Sequence, residues 1–184
     1  MSNQQKVGEN TREELVNFPK EKLLDFIEVL GRDCQTVHNQ WMAYMFKEYG
    51  DEAAAKADAE VFPRFARSML YREREILDAQ GNDISTLIEL YKFFPTHLSP
   101  GIISGEWIEV ADRRAVLRIS SCTMGRERRK SGLPLLPCKT AGLAIYQTLA
   151  TIVNPEAKVR CVFCPPDEIP PDAMCQWEFE FPRP

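Results

Sequence analysis

The chain holds only two histidines, His38 and His97, in 184 residues, and nine glycines. So few histidines exclude a paired H-E-x-x-H helix, and no Ser–His–Asp set can be argued from them. No glycine-rich phosphate-cradling loop is present either. No run approaches the ~18 consecutive apolar residues of a membrane span. The opening Met1-Ser-Asn-Gln-Gln-Lys is polar and lacks the apolar segment of a secretory signal. A cytoplasmic protein with no membrane partner is the expectation. The formal net charge of -4 argues against a dedicated nucleic-acid binder.

What remains is a hydrophobic fraction of 44% and a charged fraction of 27%, the balance of a globular domain. Charge is unevenly placed. Eight basic residues lie between Arg113 and Lys139 against the single acid Glu127. Such an island reads as a solvated loop over 123–137, with Arg126 and Arg129 as candidates to clamp a small anionic ligand.

Three regions follow from the pattern: a disordered N-terminus at 1–10, a helical region at 11–98, and a cysteine-rich α+β domain at 99–184. Apolar residues at helical spacing run from Pro19 to Tyr49, with Gly31 as a kink and Gly50 as a stop. A second helix covers 51–79, where Pro63 marks a kink or a new first turn. Asp83 caps a third helix that ends before Pro95. Alternation then gives a hairpin over Gly101–Cys122 turning at Asp112-Arg113, a helix over 140–153, and strands over 158–163 and 174–181. The expected architecture is α+β: an N-terminal helical region packed on a four-stranded sheet of ββαββ order with one crossover helix. The sequence permits a homo-oligomer without specifying one.

Cysteine is abundant where histidine is not. Five of six fall in the last 63 residues: Cys122, Cys138, Cys161, Cys164 and Cys175. Topology makes four of them meet. If the second hairpin strand and strand 158–163 run parallel, a strand–helix–strand crossover returns the chain to its starting end. Cys122 then closes one strand, Cys138 precedes the helix, Cys164 closes the next strand, and Cys175 opens the last. Cys161 sits three residues back, roughly 10 Å along the strand at ~3.3 Å per residue. Thiols gathered in a reducing compartment suit zinc, an iron–sulfur cluster, or a dithiol switch. Catalysis by a metal-activated water or a thiolate is a further reading.

Elsewhere, Cys34 and His38 share a helical face, as metal ligands or as core. His38 and Trp41 are candidates to line a ligand pocket, while Glu48, Asp58 and Glu60 read as solvated.

The segment T-A-G-L-A-I-Y-Q-T-L-A…V-R-C-V-F-C-P-P-D…C-Q-W-E-F-E-F, residues 140–181, resembles the 4-vinyl reductase domain. It is also similar to the L-2-amino-thiazoline-4-carboxylic acid hydrolase-like group, nearest to a branch from anaerobes with C-x-x-C-P-P-D and a preceding L-P-C-K. The resemblance implies a small-molecule-binding α+β fold whose cysteines lie near the ligand or hold a metal. Cys161, Cys164 and Cys175 match the domain's pattern; Cys122 and Cys138 match the nearer branch alone. No vinyl reduction and no catalytic base is implied.

Overall fold

The computed structural model describes residues 11–182, so the expected disordered segment 1–10 lies outside the described residues. The elements run α1 (Thr11–Val16), α2 (Lys20–Ile76), α3 (Ile84–Lys92), β1 (Ile103–Ala111), β2 (Arg114–Cys122), α4 (Thr123–Lys130), α5 (Lys139–Val153), β3 (Lys158–Phe163) and β4 (Cys175–Glu180). This is the expected α+β fold, an N-terminal helical region on a four-stranded sheet of ββαββ order.

Glycine decides how α2 is built. Gly50 has φ 82 and ψ 169, a conformation that side chains resist, and it breaks the helix into two arms. The second arm folds back until His38 of the first meets Asp58 and Phe62. Gly31, expected to kink the helix, stays helical. A Cβ there would stand 2.7 Å from the Pro95 carbonyl oxygen, so its smallness admits the 95–98 turn instead. Pro63 also lies inside continuous helix, and the break falls at Gly50 alone. Asp83 caps α3 as expected, its carboxylate accepting from the Thr86 N–H at 2.9 Å.

The sheet order is β1-β2-β4-β3 and every neighbouring pair is antiparallel. Because β2 and β3 both run against β4, they are parallel to each other, with β4 inserted between them. Helix α5 makes the crossover. Trp177 and Phe179 of β4, and Phe181 just past its end, alternate with Glu178 and Glu180, which sets apolar side chains on one face of the sheet and charged ones on the other. The dry face joins Ala115, Leu117, Ile119, Trp177 and Phe179 to Leu149 and Val153 of α5, and to Leu70 and Leu87 of the helical region, in one core. The helical and cysteine-rich regions therefore share that core.

The wet face carries an ionic chain through all four strands. Glu109 of β1 pairs with Arg114 of β2, Arg114 with Glu178 of β4 at 3.0 Å, and Glu178 with Arg160 of β3.

One expectation fails in this half. Residues 123–130 form α4 rather than loop, because Cys122 caps it: the Gly125 N–H donates to the Cys122 sulfur at 3.4 Å. Basic residues at 128–130 then lie in its last turn, where the helix dipole favours cations. Arg128 ties α4 to the bend in α2, reaching Asp51 at 2.6 Å and stacking over Phe46 at 5.4 Å.

Candidate functional site: a thiol-walled cavity

Between the arms of α2, helix α5 and the dry face of the sheet lies a cavity of about 200 Å³. Its wall is mostly apolar and aromatic, including Phe62, Phe94, Ile119, Leu149, Tyr146 and Trp177. Cys122, Cys138, Cys164 and Cys175 stand on the same wall. They also line an adjoining space of about 50 Å³ with Arg128, Leu136 and Met174, so the thiols form the partition between the two.

Each thiol arrives by a different local device. Cys122 ends β2 and caps α4; Cys138 occupies the cap of α5 without using its side chain there. Cys164 follows β3 in a turn closed by the Asp167 N–H donating to the Cys164 carbonyl at 2.9 Å. Lys139 at the start of α5 holds that turn through the Asp167 carboxylate at 2.8 Å. Cys175 opens β4 opposite Ile119.

The four are electrostatically distinct. Burial pushes the Cys138 thiol up to about 12, reinforced by Cys122 and Cys175 and then by Asp58, with Arg128 opposing. Burial also raises Cys122, against the Gly125 N–H and the nearby Arg126 and Arg129 charges. The Cys164 thiol is raised by its hydrogen bond to Cys175 and by burial. Cys175 is lowered, chiefly because it accepts from Cys164, with burial opposing. Cys164 thus keeps its proton and Cys175 releases its own first.

Further polar groups face the cavity. His38 Nε2 and Asp58 Oδ1 are 2.9 Å apart and both are on the wall. Asp58 is therefore half-buried and paired rather than solvated. The Tyr91 hydroxyl and the Trp177 indole N–H are buried without hydrogen-bond partners among the described residues. Burial raises the Tyr91 and Tyr146 phenols, so both remain protonated donors.

Other candidate residues go elsewhere. Cys161 lies on β3 beside Trp177 in register, outside the wall, with burial raising its thiol. Trp41 is 48% exposed and does not reach the cavity, since Gly31 and Met42 are what α2's first arm buries. Cys34 does not join His38, whose imidazole turns to Asp58. Arg126 is spent on Ser121 and on the Gly101 carbonyl, and Arg129 is exposed; neither lines the cavity. Among the described residues, no three His, Cys, Asp or Glu side chains stand grouped as they would around a metal ion. Sequence reasoning read Asp58 as solvated and passed over Tyr91 and Trp177. Only Trp177 carried a usable signal, two positions after Cys175 and so on the same strand face.

Fold and site together define an α+β protein with an internal thiol-walled cavity. The chain belongs to a family of unknown function, DUF6125, whose model matches residues 16–181. No curated protein and no solved structure matches it.

Proposed function

We propose that the chain is a cytoplasmic small-molecule-binding protein whose four-thiol wall holds a metal, with zinc as the ion. The single observation that supports it is the presence of Cys122, Cys138, Cys164 and Cys175 on the wall of one mostly apolar cavity. Four thiolates match zinc in kind and number. The side chains are not already grouped for coordination, so an ion would have to draw them together. Bound zinc would supply structural closure or, with a position left open, Lewis acidity toward a ligand.

The chain's own groups do the rest. A cavity of about 200 Å³ suits a molecule of one substituted ring, since a ~150 Å³ apolar cavity accepts benzene. Trp177 and Tyr91 offer unpaired donors to an acceptor on that molecule. Among the described residues no lysine or arginine lines the cavity and Asp58 does, which favours an uncharged ligand over the anion suggested by the basic island. The likeness of residues 140–181 to the 4-vinyl reductase domain fits the same reading.

Elemental analysis of protein purified without oxygen tests it. One zinc per chain is expected, lost in Cys138→Ser and retained in Cys161→Ser. A brown protein with visible absorption transfers the site to an iron–sulfur cluster. Metal-free protein whose thiol count changes reversibly with oxidant overturns the metal reading in favour of a redox switch.

A further inference from the structure

The first arm of α2 carries a second pattern that the cavity does not use. Leu23, Ile27, Leu30, Cys34, Val37, Trp41 and Tyr44 are spaced alternately by four and three residues, the seam of a coiled coil sustained over three heptads. Against the core such a seam would be covered. Here Ile27 is 44%, Leu30 63%, Val37 71%, Trp41 48% and Tyr44 54% exposed. The arm meets its own protein along a different line, the one carrying Gly31, Gln35, His38 and Met42. Phe26 and Val29 widen the exposed stripe, in which Asp33 is the only charge between 26 and 44 on that side.

We infer that this seam is the interface of a homodimer in which the first arms of two chains pack together. Length and composition point to a second copy. The seam spans 22 residues, about 33 Å at ~1.5 Å per residue, and is apolar with almost no charge to ask for an opposite partner. Its best complement is a helix equally long and equally apolar, which an identical chain presents. Area points the same way. A folded monomer of 21.1 kDa exposes about 9,000 Å², whereas this chain exposes 11929 Å². The difference, about 2,900 Å², leaves room for the ~800 Å² each partner contributes to a standard interface.

Sedimentation equilibrium of the full chain at micromolar concentration decides the matter. Wild type should have twice the mass of 21.1 kDa. The double variant Leu30→Glu, Val37→Glu should have that mass once, with an unchanged circular dichroism spectrum. Both positions are solvated in the single chain, so the charges should not unfold it. A second variant, Ile108→Glu, places the same charge on an exposed residue of β1 and should remain dimeric. Monomeric wild type overturns the inference and gives the seam to a chain of different sequence. A double variant that stays dimeric overturns it as well, placing the interface elsewhere.

Discussion

A Cβ on Gly142 would stand 2.6 Å from Cζ2 of Trp177. The first turn of α5 thus presses bare backbone onto the indole that floors the cavity beside Cys175. Trp177 is 1% exposed and a rigid ring, so it has nowhere to retreat. Gly142→Ala should therefore destabilise the protein, overpacking of this kind costing ~1–3 kcal/mol. Helix propensity favours alanine by ~1 kcal/mol and works against that loss. A net fall of about 1 kcal/mol, the middle of a ~0–2 kcal/mol range, is expected in urea unfolding. A variant at least as stable as wild type would show that the ring yields.

The ionic chain Glu109–Arg114–Glu178–Arg160 leads to a pH prediction. Arg114, and then Arg160, hold the Glu178 carboxyl below its ordinary value of 4.5. A carboxyl lowered on folding adds stability above its unfolded pKa, and that stability is lost as pH falls through the folded one. Arg114 and Arg160 are both more than a third exposed, which limits the gain. Glu178→Gln should cost about 1 kcal/mol at neutral pH. The gap should close in acid. Chemical denaturation of both proteins across pH 3–7 checks this, and a gap that persists in acid would assign the loss to shape rather than charge.

Periodicity exposed the helices and strands because each element buries a stripe or one face, and that requirement leaves its mark on adjacent residues. Convergence of Cys122, Cys138, Cys164 and Cys175 was legible for a related reason: a crossover returns the chain to one end whatever the side chains are. The insertion of β4 between β2 and β3 was not legible, since either edge of β3 satisfies the same alternation. Nor was α4, whose cap is a cysteine sulfur and whose composition reads as loop. Asp58 gave no warning either. Its burial depends on the fold at Gly50 bringing His38 opposite it, a tertiary event absent from the local pattern. Trp41 misled because an aromatic at helical spacing marks an interface without saying which one.

Glu73 carries the opposite pH signature to Glu178. Burial raises its carboxyl from 4.5 to about 7, and one of its oxygens has no hydrogen-bond partner. An acid raised on folding does no harm below its unfolded pKa, where both states are protonated. Its cost grows as pH rises from about 4.5 and levels off above about 7. Glu73→Gln should thus stabilise the protein above neutrality, by about 1 kcal/mol once partial exposure is allowed for. It should change little at pH 4. Thermal melts at pH 4 and pH 8 separate the two, and equal shifts at both would rule out titration as the cause.

The proposed zinc site predicts metal uptake strongly coupled to protons. Burial leaves Cys138 near 12 and raises Cys122, and Cys164 keeps its proton by donating to Cys175. Thiolate is the species that binds metal, so these thiols must each shed a proton on coordination. Cys175, lowered by its neighbours, is the one that contributes least. At neutral pH the release should be ~3–4 protons per ion. Affinity should fall by a matching number of powers of ten for each unit of acidification. Titration calorimetry in buffers of different ionisation enthalpy counts the protons directly. The same count should appear in Cys161→Ser, whose sulfur lies off the wall, whereas Cys138→Ser should show neither zinc uptake nor proton release. A wild-type count of two or fewer would mean that the ion is not held by all four sulfurs.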